Sequence, residues 1–114
     1  MISFSILFLE VALRIFCGFG TIPVFIEDPD YEFIFAPDQD MHRLGKHFYT
    51  NHYSMRSDAL STIDSLRILI FGDSILNGGA QNDNDELATS ILEKNLSAKL
   101  KKKIRVLNIS ANSW

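Results

Sequence analysis

"LRILIF" (Leu66–Phe71) and "IRVLNIS" (Ile104–Ser110) are short, almost continuous apolar runs separated by an amphipathic stretch, and nothing else in the chain restricts its fold so much. Runs of this kind suit strands buried on both faces. Between them, "DNDELATSILEKNLSAKLKKK" (Asp83–Lys103) predicts a helix. Asp83 and Glu86 have capping-box spacing and place carboxylates at the positive end of the helix. Leu87, Ile91, Leu96 and Leu100 recur at intervals of three to five, as an apolar stripe does. Lys99, Lys101, Lys102 and Lys103 gather at the other end, where cations oppose the helix dipole. They read as a solvated helix end, and a net charge of -3 gives no pointer to nucleic acid. Strand, helix and strand at this spacing make a βαβ unit, parallel and right-handed.

A parallel unit puts both strand exits on one edge, and ligands of open α/β sheets bind beyond that edge. "GDS" (Gly72, Asp73, Ser74) follows the first strand and "ANSW" (Ala111–Trp114) follows the second. A phosphate cradle would need Gly-Lys-Ser/Thr spacing or G-x-G-x-x-G directly after the strand. Gly72, Gly78 and Gly79 fit neither. Two readings stay open on the residues alone. One is an ordinary turn, since Gly and Asp are common turn formers. The other is a nucleophile, which needs Ser74 at the strand exit, a backbone N–H for an oxyanion, and a base.

The N-terminal third is apolar but interrupted. "MISFSILFL" runs nine residues before Glu10, and "IFCGFGTIPVFI" resumes after Arg14. A spanning helix needs about 20 apolar residues. Glu10 and Arg14 are four apart and share one helix face, so they can pair. Residues 1–26 are expected to be a membrane-anchor or interfacial helix, with a core helix as the alternative. Neither a signal-peptide nor a lipoprotein cleavage site is visible. The single cysteine, Cys17, excludes an intrachain disulfide and reads as a small buried hydrophobe. Residues 27–65 lose helical periodicity amid Pro29 and Pro37 and read as an irregular linker with short extended pieces such as "YEFIFA" and "HFYTNHY". His42, His47 and His52 fall here at intervals of five, matching neither one helix face nor one strand face. With no fourth ligand in recognisable spacing, they are expected to be unrelated, and no metal site is expected.

"ILIFGDSILNGG" resembles the first signature block of the GDSL, or SGNH, hydrolases, and "VLNISANSW" resembles their second block. Upstream, "EVALR" and "PDQD…GKHFYTNHYSMRSD" are similar to the membrane-proximal leader of anchored bacterial members. There an Asn-x-x-Gly-x-Arg element precedes the domain; here it reads Asn51, Ser54, Arg56, with Ser in the glycine position. The resemblance implies an α/β fold, the first βαβ part of a flavodoxin-like three-layer sheet, over residues 66–114. It implies Ser74 as nucleophile, with its own N–H as one oxyanion donor, and Ser113 in the place of the second donor. Gly72 and Asp73 support the motif, Asp73 as a turn residue rather than a triad acid. The implied substrate is an acylated carbohydrate or lipid, cleaved without a cofactor by a membrane-anchored, extracytoplasmic domain. The family's Asn block and Asp-x-x-His are not among these 114 residues. His47 and His52 lie at the opposite end of the topology and are not expected to replace that histidine. The chain is therefore expected to be an N-terminal fragment, inactive alone. The alternative is a non-catalytic anchored module or an acyltransferase remnant.

Overall fold

The structure, a computed structural model, describes residues 2–111. It is a mixed α/β chain of one long N-terminal helix, two β-hairpins and a βαβ unit. The helix α1 (Ile2–Cys17) carries the expected ion pair, with Arg14 Nη2 2.7 Å from Glu10 Oε1. It stops at Cys17, well short of residue 26, and the chain is extended beyond Val24. Its 16 residues span about 24 Å at 1.5 Å per residue, less than the ~30 Å hydrocarbon core of a bilayer. Among the described residues no helix is long and apolar enough to cross a membrane. Cys17 is half-buried rather than buried.

The stretch read as an irregular linker holds two hairpins, and residues 50–65 form neither helix nor strand. β1 (Phe25–Asp28) pairs antiparallel with β2 (Glu32–Phe35), and β3 (Asp40–Arg43) with β4 (Lys46–Tyr49). β2 and β4 fall in the pieces expected to be extended. Each strand has only four residues, too few for alternation to stand out in a sequence. Aromatic contacts hold the hairpins together. Phe25 stacks on Phe35 at 4.6 Å, and Phe35 meets Phe48 edge-on at 5.3 Å. Phe35 and Phe48 are both buried. Gln39 closes the gap between hairpins, its amide bonding both Val24 O and Ala36 O.

The C-terminal unit is β5 (Leu66–Gly72), a short helix α2 (Ser74–Asn77), α3 (Ala88–Leu100) and β6 (Ile104–Ser110). β5 and β6 are parallel and in register from Leu66↔Ile104 to Gly72↔Ser110. Only β6 is buried as expected. β5 leaves Leu66, Leu69 and Phe71 exposed, so it is covered on one face, not two. The long helix expected from Asp83 is broken at Leu87. Asp83 and Glu86 do form a capping box, but on a separate 3-10 turn (Asn84–Glu86), and Leu87 is extended before α3 begins.

The buried side of this segment matches the expected stripe only in part, at Leu87, which is buried, and Leu96. Thr89 is buried, Glu93, Leu96 and Ser97 are half-buried, and Ile91 and Leu100 are about half exposed. Hydrogen bonding explains the choice. Glu93 Oε2 accepts from Val106 N at 2.7 Å, and Ser97 Oγ accepts from Ile104 N at 3.1 Å. The polar side of α3 therefore satisfies the outer edge of β6, which would otherwise carry bare N–H groups.

The hairpins and the βαβ unit are joined by side chains. Tyr49 N donates to Asn84 Oδ1 and Asn84 Nδ2 donates to Tyr49 O. Lys46 Nζ meets Glu86 at 2.7 Å and holds that carboxyl below its ordinary range. Arg56 N donates to Asn108 O, and Asn108 N to Ser57 Oγ, continuing the edge of β6. Between them, Asn51 organises a tight turn: its Oδ1 accepts from Tyr53 N and Met55 N, and its Nδ2 donates to Asp58 O. Ser54 sits inside this turn at φ +62°, the left-handed region that favours glycine. Relieving that strain costs some unfolded-chain entropy, so Ser54→Gly is expected to raise stability by a net of about 0.5–1 kcal/mol. An urea midpoint that is unmoved or lowered would show that Ser54 is not strained.

Candidate active site

β5 delivers Gly72, Asp73 and Ser74 to the edge where β6 ends. Gly72 is required by crowding. A Cβ there would lie 2.6 Å from Leu76 Cβ, because the first turn of α2 folds directly back over the strand end. Asp73 is the N-cap of α2, its Oδ1 accepting from Ile75 N at 2.9 Å. That contact engages the carboxylate with the backbone of the turn. Ser74 is the first residue of α2 and is exposed. Strand register puts the end of β6 beside it, with Gly72 opposite Ser110. Ser113 lies outside the described residues.

Beneath this exposed hydroxyl is a buried polar layer. Asn77 and Asn108 are almost wholly buried. Asn108 Nδ2 donates to Leu76 O at 3.0 Å and to Thr89 Oγ1 at 3.3 Å, while its Oδ1 accepts from Ser110 Oγ. Asn77 Nδ2 reaches Ser110 O at 3.4 Å, and its Oδ1 accepts from Gly79 N. The amides thus tie α2 to the carboxyl end of β6 by directional bonds, which fixes a loop more narrowly than apolar contact does. Asn108 occupies a sequon, and its complete burial makes the site inaccessible.

Arg56 holds the other side of the loop. Its guanidinium donates to Asn77 O, to Gly79 O at 2.7 Å, to Asn82 O at 2.6 Å and to Asn84 Oδ1 at 2.9 Å. Its carbon stands 4.6 Å over the Phe48 ring, and no part of the side chain reaches solvent. Burial pulls Arg56 down to about 10, and Asp83 and Tyr49 oppose that fall. It remains charged at neutral pH. Five donors in a planar fork can serve four acceptors at once, which a lysine cannot do. The sequence placed Arg56 in a motif but gave no role. The signal was its fixed offset from Asn51, because the Asn51 turn aims it at the loop.

A second ionic cluster braces the outer side of β6. Arg105 Nη1 contacts Asp58 Oδ2 at 2.8 Å and Glu93 Oε1 at 2.7 Å. Burial opposes ionisation of Asp58, but hydrogen bonds from Tyr49 and Arg105 outweigh it and hold the carboxyl below its ordinary value. Burial and Asp58 together push the Tyr49 phenol well up.

Among the described residues no hydrogen bond joins Ser74 to a histidine. His47 Nε2 is bonded to Asp40 Oδ1 at 2.7 Å, and His52 Nδ1 to Asp38 Oδ2 at 2.9 Å. The described site can therefore present a hydroxyl and a backbone turn, without a general base. The expectation of three unrelated histidines needs correction: His42 and His47 are partners across β3 and β4, with rings stacked at 4.4 Å. A spacing of five matches no single element, but a two-residue hairpin turn makes such residues neighbours. Comparison with family models, with curated proteins and with solved structures finds no match to this chain.

Proposed function

We propose that this chain carries the nucleophile-bearing part of a serine ester hydrolase of the GDSL/SGNH type, acting on acylated carbohydrate or lipid. The observation that supports it most is the parallel register of β5 and β6, with exposed Ser74 directly after the edge that Gly72 and Ser110 share. On this reading the sheet is the start of a flavodoxin-like, three-layer arrangement. Ser74 Oγ attacks the ester carbonyl and passes its proton to a base, the base returns that proton to the departing alkoxide, and water then cleaves the acyl-serine. The Ser74 N–H serves as an oxyanion donor, and the resemblance assigns Ser113 as the second. The apolar α1, with Phe4, Phe8 and Phe16 more than two-thirds exposed, supports attachment to a lipid surface, and the resemblance alone implies an extracytoplasmic placement of the sheet. The reading of the chain as a non-catalytic module draws support from the engagement of His47 and His52 elsewhere.

That no base is bonded to Ser74 among the described residues suggests a chemical test. With p-nitrophenyl acetate alone, turnover is expected to stay at background. Added imidazole can take the Ser74 proton, so an acetyl group should then accumulate on Ser74, located by peptide mass mapping. Ser74→Ala should lose that label and no other. Acetylation spread evenly over the exposed serines would overturn the nucleophile assignment.

A further inference from the structure

We infer that Asp40, His42 and His47 form a site for a divalent transition-metal ion of zinc type, on one face of the β3–β4 hairpin. The backbone brings the three together. Asp40 and His42 are two apart on β3 and so share a face, and His47 lies directly opposite His42 on β4. The turn between them, Leu44 at φ +50° and Gly45 at φ +76°, has both central residues left-handed, as a tight two-residue hairpin requires. The opposite face carries Lys46, which is turned away to Glu86. No cation therefore competes from that side chain.

The donor atoms of Asp40, His42 and His47 all lie within 4.8 Å of one another. Ligands at about 2.0–2.2 Å from a tetrahedral zinc stand ~3.4 Å apart, so side-chain movements of about an ångström, which part Asp40 from His47 slightly, bring the set to that spacing. His42 and Asp40 are exposed, and the ion would take the place of the 2.7 Å hydrogen bond that joins Asp40 Oδ1 to His47 Nε2. His47 is half-buried, and its backbone N–H donates to Asp83 Oδ2, so it is the fixed member. Two imidazoles and one carboxylate favour zinc, copper or nickel over magnesium or calcium, which take oxygen ligands. Three protein ligands leave a coordination position for water or for a ligand. Asp40 and His47 line an open groove of about 430 Å³ into which that position can face. The site is separate from Ser74 and does not rest on the esterase reading.

The test is calorimetric titration of the full chain with zinc chloride, with magnesium chloride as the control ion. Saturable one-to-one zinc binding and no magnesium binding are expected. Replacing a ligand should cost at least as much as losing an outer-shell partner, about tenfold or more in affinity, for His42→Ala and for His47→Ala. His52→Ala and Cys17→Ser should leave it unchanged. His42→Gln, polar and exposed, guards against a folding artefact: it should weaken zinc tenfold with an unaltered far-UV circular dichroism spectrum. Absence of saturable zinc binding would overturn the site. So would binding that survives both histidine replacements, or that falls equally with His52→Ala or Cys17→Ser.

Discussion

Arg56→Met lowers the folding stability by about 3–5 kcal/mol, against a total of only ~5–15 kcal/mol for an ordinary domain. The methionine fills much the same volume and keeps contact with Phe48. It donates nothing to Asn77 O, Gly79 O, Asn82 O or Asn84 Oδ1. Asn84 Oδ1 still accepts from Tyr49 N, but a buried acceptor left bare costs about 1–3 kcal/mol, and three carbonyls in one place cannot all be rewetted without opening the loop. Arg56→Lys should fall between, because an ammonium keeps the charge but cannot fork across four acceptors. Urea unfolding gives the stability, and amide exchange in residues 78–84 gives its location. A loss under ~1 kcal/mol for Arg56→Met would mean that the loop is held by something other than the guanidinium.

The two halves of the chain differed in how much of this could be read. β5, α3 and β6 are each long enough to carry a period, and the apolar runs at Leu66–Phe71 and Ile104–Ser110 found both strands. The hairpins are four-residue strands whose stability comes from Phe25, Phe35 and Phe48 meeting across elements, and a linear pattern does not carry that information. The same blindness hid His42 beside His47. Half of the stripe failed, for a different reason: Leu87 is buried and Leu96 half-buried, but Ile91 and Leu100 are exposed. Leu87, Ile91, Leu96 and Leu100 were the apolar choice, but the edge of β6 needed acceptors, and Glu93 and Ser97 supply them. Hydrogen-bond demand outweighed the burial of Ile91 there.

The candidate site was legible as a motif and silent as a mechanism. Gly72, Asp73 and Ser74 occupy the strand exit that their order implied. What supports them came from residues with no pattern: Asn77 and Asn108, thirty-one positions apart, and Arg56, upstream of the strand itself. Buried amides of this kind leave no periodic trace. Their partners are backbone carbonyls, whose positions only the fold determines.

Asn108 provides the sharpest test of that buried layer. Asn108→Asp preserves shape and replaces one NH2 by an oxygen. The donor to Leu76 O and Thr89 Oγ1 becomes an acceptor, and at pH 7 a charge sits where nothing reaches solvent. An uncompensated buried charge costs about 3–5 kcal/mol. The sign of the pH dependence follows. Burial raises the introduced carboxyl above the ~3.9 of an unfolded aspartate, so its stability contribution is intact below that value and is lost as pH rises. When protonated, the carboxyl O–H can donate to Leu76 O again. The gap between Asn108→Asp and the unsubstituted chain should therefore be small at pH 4 and near its full size by pH 7, while Asn108→Ala shows a gap that does not change with pH. An equal gap for Asn108→Asp at both pH values would mean that residue 108 is solvated in solution, and that the loop carrying Ser74 is not anchored to β6 as described.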